Sequence, residues 1–195
     1  LVERTFLMST HGNVTLNYPL QIGQTSGTGV FTLTRGILIT SSTNIPKLMN
    51  AISGPTGTAP STVTPPTTHG SYVSGPLMIQ FPGSGTTTRN FALGKGTSYN
   101  GSTPSSNVLK TLTVANIGPT AWTNQLITAT IESAPSGTVN SPLTTVIGNI
   151  AYRLNRNGGA DLPATAYVTM NGMNYTFGNS DGLLGDLSEL RVAQS

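Results

Sequence analysis

The chain has 195 residues, of which 8% are charged and none is cysteine, and its formal net charge is +3. Disulfides and thiolate metal sites are therefore excluded, and no apolar run is long enough to cross a membrane as a helix. Ser and Thr make up about a quarter of the residues, so the surface is hydroxylic rather than ionic.

An apolar share of 36% with so little net charge argues against a disordered chain. Lys and Arg do not cluster beyond Arg153 and Arg156, which leaves no electrostatic footprint for nucleic acid. The length suits one all-β domain with a substantial core, and no composition break asks for two. A start at Leu1 suits a mature secreted protein trimmed of its signal peptide.

In chain order, residues 1–10 are extended in character, with Val2, Phe6 and Met8 on one side and Leu1, Thr5 and Leu7 on the other. After the turn signal His11-Gly12-Asn13, the alternation Val14, Leu16, Tyr18, Leu20, Ile22 predicts a strand with those side chains inward. Pro19 lacks a ladder donor and places that strand at an edge or breaks it. A turn follows at 23–29, then a strand over 30–40 with Phe31, Leu33, Ile37 and Ile39 on one face. Arg35 interrupts that face beside Gly36, where a bulge is expected.

The one helix predicted runs over 44–54: Asn44 as cap, Pro46 in the first turn, Leu48, Met49 and Ile52 on one face, and Gly54 at the end. Residues 54–70 form a Pro/Thr/Gly loop of polyproline character. Strand-like segments then recur at 72–81, 89–93, 108–117, 122–132 and 144–154, punctuated by Gly and Pro. The clearest local instruction is at 166–177, where Asn171-Gly172 suits a two-residue type I′ hairpin turn. Counting outward puts Met170, Val168, Tyr175 and Phe177 on an apolar face and Asn174 on a polar one. With the strand at 144–154, this makes a three-stranded meander. The tail reads as a final strand from near Leu187, although Leu183, Leu184, Leu187 and Leu190 also fit helical spacing.

The sum is an all-β sandwich of about ten strands, immunoglobulin-like or jelly-roll, with one short helix and an extended N-terminal strand.

Chemistry is sparse. His11 and His69 lie in polar turns, and no nucleophile elbow or zinc-binding His-Glu pair occurs, so no catalytic residue is nominated and no cofactor is expected. Asp181, Asp186 and Glu189, with Asn179, could gather around Ca²⁺, but their spacing is not that of an EF-hand loop and caps explain them better. Trp122, the one tryptophan, suits sheet-end packing better than a sugar platform. Three sequons, at Asn13, Asn100 and Asn174, fall in turns or on an outward face and are the glycosylation candidates.

An all-β, Thr-rich, charge-poor chain with an extended apolar N-terminus resembles the pilins that assemble by donor-strand complementation, of the chaperone-usher type or the archaeal thread-like type. The resemblance is one of layout. It implies that residues 1–12 are a donor segment and 13–195 a single domain, with Val2, Phe6 and Met8 filling a neighbour's groove. Two departures accompany it: Arg4 lies on the Val2/Phe6 face, and Pro19 would interrupt a donor placed at 14–22. It further implies an extracellular cell-surface filament, a head-to-tail homopolymer used for adhesion to a host surface or glycans. A viral capsid, spike or tail protein and a carbohydrate-binding or adhesin module are the competing readings.

Overall fold

The computed structural model describes residues 2–3, 5–23, 30–49, 71–81, 87–96, 112–116, 125–133, 150–157 and 166–170. Every regular element among them is a strand, so the all-β reading holds.

The first half of the chain winds rather than folding back on itself. Strands β1 (Val2–Glu3), β3 (Leu20–Ile22), β5 (Pro46–Leu48) and β7 (Leu77–Gln80) lie side by side and parallel in one sheet. Strands β2 (Thr5–Thr15), β4 (Val30–Ile39) and β6 (Tyr72–Ser74) do the same in a second, which a parallel bridge from Val73 to Leu93 extends. The chain thus visits the two sheets alternately and advances one strand in each per circuit, in the manner of a β-solenoid. The expected immunoglobulin-like or jelly-roll sandwich is built from antiparallel pairs, and these parallel ladders depart from it.

Beyond β7 the pairing turns antiparallel. β10 (Leu126–Ser133) pairs with β7 and with β11 (Ile150–Arg156), closing the first sheet at six strands. A third sheet has the order β12 (Ala166–Met170), β9 (Leu112–Asn116), β8 (Thr87–Phe91). β11 and β12 therefore sit in different sheets, which corrects the expected meander. The return strand of the 166–177 hairpin, its Asn171-Gly172 turn and the tail lie outside the described residues, as does the loop at 54–70.

In-register pairing, parallel up to β7 and antiparallel beyond it, stacks like on like, and the core records it. Ile22, Leu48, Ile79 and Ile127 are successive partners across four strands, each essentially buried. Facing them from the second sheet are Met8, Phe31, Leu33, Leu38 and Val73, in the same apolar cluster. Phe6 stacks on Phe31 with ring centroids 5.3 Å apart and planes 19° from parallel.

The predicted helix over 44–54 is not formed where the structure describes it: Pro46–Leu48 is β5, and Ser41 and Asn44 close a turn ahead of it. Pro46 and Leu48 are buried and Lys47 half-buried, a period of two that fits a slot between β3 and β7. The same residues fit a helical stripe, so local pattern leaves the choice open and the neighbouring strands decide it.

The strand predicted over 14–22 is also two pieces. β2 ends at Thr15, β3 begins at Leu20, and Pro19 lies in the crossing between sheets, the break expected of it. Leu20 and Ile22 are buried as expected, whereas Val14 and Tyr18 are exposed, Tyr18 to 79%.

In β4 the expected bulge is present. The ladder with β2 slips between Met8 and Ser9 and again between Ser9 and Asn13, and Gly36 sits there with φ +88°. The slip flips the face: Phe31 and Leu33 point into the core before it and Leu38 after it, while Ile37 pairs with buried Tyr72 outside that cluster.

Candidate functional site

Two features of the described surface invite a partner: the open end of the parallel coil and a hollow on the face of the first sheet. The open end is made by the chain's first residues. β1 and β2 begin the two parallel ladders, and among the described residues no strand pairs with their outer edges. β2 is 11 residues long and reads T-F-L-M-S-T-H-G-N-V-T, without Lys, Arg, Asp or Glu. Charged side chains are a common means of blunting a sheet edge, and β2 has none. The opposite edge of the first sheet is different. It is β11, which carries exposed Arg153 and Arg156, with Arg153 Nε donating to Glu132 Oε1 at 2.8 Å.

The residues nominated from the sequence fall on this edge. Met8 is buried and Phe6 half-buried, both against the chain's own core, and Val2 is the register partner of Gln21. The segment was expected to stand off its own domain. Instead, a single chain buries it, because β4 offers β2 a full parallel ladder and Phe31 offers Phe6 a ring to stack on. β2 runs without interruption across residues 12 and 13, so the segment and the rest of the chain share a strand. Asn13 is exposed on that strand. Asn100 and Asn174 lie outside the described residues, as do His69, Trp122, Asn179, Asp181, Asp186 and Glu189. Among the described residues, no three His, Asp or Glu side chains come together as metal ligands.

The hollow has a volume of about 360 Å³ and is lined by Pro19, Leu20, Gln21, Thr43, Ile45, Lys47 and Met78. Its floor follows from the strand period. Gln21, Lys47 and Met78 are the half-buried, outward positions of β3, β5 and β7, and the parallel register sets them side by side. Its rim is the 41–44 turn, where Asn44 N donates to Ser41 Oγ at 3.1 Å and the Ser41 and Thr43 hydroxyls lie 3.1 Å apart. Gln21 Nε2 donates to Gly23 O at 3.2 Å. Lys47 has no ion-pair partner among the described residues.

Comparison with protein-family models, with curated proteins and with solved structures finds no match. What the chain does must therefore be argued from its own surface.

Two buried polar groups lie away from both features. Arg89 is only 6% exposed, with its guanidinium carbon 5.9 Å from the Phe81 ring centroid and Nη1 donating to Thr88 O at 3.0 Å. Desolvation pulls its pKa down to about 10, so it stays a cation at neutral pH. Tyr72 donates to the carbonyls of Lys95 and Gly96 at 3.4 and 3.2 Å, and burial pushes its phenol up to about 12.

Sequence reasoning singled out the N-terminal segment because its apolar side chains show in the residues themselves. It passed over Gln21, Lys47 and Met78. Each is an ordinary outward residue until the register of three separate strands brings them together.

Proposed function

We propose that this chain is an extracellular structural subunit that polymerises head-to-tail into a cell-surface filament by donating its N-terminal strand to its neighbour, and that it serves attachment rather than catalysis. The observation that carries the reading is β2 itself: a long, uncharged strand whose outer edge has no partner among the described residues, near the start of the sequence and inserting Phe6 and Met8 into a core. Donation would be an exchange, in which β2 of one subunit lies against β4 of the next and makes there the contacts it makes here. Such an exchange costs little in contact energy, and one that does not close on itself generates a fibre.

The test uses a chain with no cysteine of its own. Thr5 and Val30 are Cα partners in the β2–β4 ladder, and Val30 is half exposed, so Thr5→Cys with Val30→Cys ties β2 to its own β4. The oxidised variant is expected to stay monomeric by light scattering and negative-stain microscopy, and to form fibres once reduced. Fibres from protein oxidised as a monomer, running as single chains on non-reducing gels, would rule out donation of β2.

A further inference from the structure

The geometry points to a hinge inside β2, at Thr10, His11 and Gly12, that confines strand donation to the part of the chain ahead of it. This inference rests on the filament reading and fixes which residues are handed over.

Although β2 is one strand, its ladder to β4 comes in two parts. Residues from Thr5 to Ser9 pair with residues between Val30 and Arg35, and residues from Asn13 to Thr15 pair with Ile37, Leu38 and Ile39. Ser9 is opposite Arg35 and Asn13 opposite Ile37, so Thr10, His11 and Gly12 together face Gly36 alone. Residues in excess over their partner strand stand outside the ladder. Their dihedral angles can therefore change without breaking a ladder bond, which is what a hinge requires.

The two sides of the bulge are held differently. Gly36 is buried with φ +88°, and its carbonyl accepts a hydrogen bond from buried Ser71 Oγ at 2.7 Å. On the β2 side, Gly12 N donates to Thr10 Oγ1 at 3.3 Å, a local contact that travels with the segment. A Cβ on Gly12 would meet nothing within 4 Å. Thr10 and Gly12 do approach Gly36 closely, but over a bare Cα, where no side chain interlocks. β4 is thus the frame and β2 the moving part.

Burial assigns the moving end. Ahead of the hinge, Phe6 stacks on Phe31 and Met8 is buried in the core. A second copy offers the same slot, so an exchange regains these contacts. Beyond the hinge, Asn13, Val14 and Thr15 are exposed, and Leu16 N donates to Ile39 O at 2.9 Å, carrying the attachment on into the chain. Moving these three residues would forfeit that bond and gain no burial. The donated unit is therefore β1 with the stretch from Thr5 to Ser9, and the stretch from Asn13 to Leu16 is its tether.

A second crosslink tests this beside the first. Thr15 and Ile39 are Cα partners, so Thr15→Cys with Ile39→Cys fastens the tether to β4 and leaves the donated unit free. Each variant is oxidised as a monomer and checked by melting temperature. Fibres are expected from the Thr15–Ile39 tie and are lost with the Thr5–Val30 tie. If both ties abolish fibres, β2 is donated as one strand: the hinge is overturned and the filament reading stands. If neither does, the filament reading fails, and hydrogen exchange on the monomer judges the hinge by itself. With a hinge, the protected amides from Thr5 to Ser9 exchange at the same rate whether the Thr15–Ile39 tie is oxidised or reduced. Slower exchange in the oxidised form would overturn the hinge, since the two parts of β2 would then open together.

Discussion

Gly36 carries a turn of the chain that no side chain could occupy. Its φ of +88° lies in the left-handed region, and a Cβ there would sit 2.5 Å from Gly12 O and 2.7 Å from Thr10 Cγ2. Gly36→Ala should cost about 2 kcal/mol or more, from the strained backbone together with the shift forced on β2. Chemical denaturation measures it, and an unchanged midpoint would mean that the bulge is not rigid. Tyr72 is a second point of stress. Its phenol is raised to about 12 by burial, so the folded chain keeps that proton after the unfolded chain has lost it. The stabilisation is complete below pH 10 and is lost as pH rises from 10 to 12. Arg89, lowered by burial, acts with the opposite sign over much of the same window, so melting temperature alone would blur the two. Tyrosinate ultraviolet absorbance isolates the phenol: Tyr72 should ionise late, and Tyr72→Phe should remove that late step. A titration without a late step would show that water reaches the phenol.

Among the elements, the stacked row Ile22, Leu48, Ile79 and Ile127 ties four strands of the first sheet together, and its members are expected to act as a unit. Leu48→Ala should cost about 2–5 kcal/mol, since it opens a cavity between two flanking strands that cannot close in independently. Paired with Ile79→Ala it should fall short of additivity in a double-mutant cycle, because the two share one void. Full additivity would mean that the row packs as separate residues. This row also shows where sequence reading stops. The strand at 30–40, the part of the 122–132 strand from Leu126 on, the break at Pro19 and the bulge at Gly36 were legible because alternation, a missing donor and a lone glycine are local signals. The direction of pairing was not, since a strand buried on one face alternates in the same way whether its neighbour runs parallel or antiparallel. Residues 46–48 failed for a related reason: Leu48 and Met49 suit a helix face, and only the slot between β3 and β7 selects the strand. The N-terminal segment stood out for its apolar side chains, but its parallel docking on β4 did not. The hollow was not legible at all, being a product of register between residues 26 and 31 positions apart.

For the molecule as a whole, the scarcity of charge makes a prediction about conditions. Acid unfolding is largely the cost of protonating carboxylates that are ionised and paired in the native state, whose folded pKa is thereby depressed and whose stabilisation vanishes as pH falls through it. This chain has six acidic residues in 195. One of them, Glu132, meets Arg153 in a pair that water reaches on both sides, the kind worth about 0–1 kcal/mol. The large favourable terms lie elsewhere, in the apolar core between the first and second sheets and in their ladders, and neither titrates between pH 7 and pH 3. Salt has correspondingly few surface pairs to screen. Melting temperature should therefore change little from pH 7 to pH 3 and little between low and high salt. A steep fall between pH 5 and pH 3 would show that a few buried, paired carboxylates carry the fold after all. Asp161→Asn would then be the first variant to examine, because a variant that lacks the responsible carboxylate loses the fall along with part of its stability at pH 7.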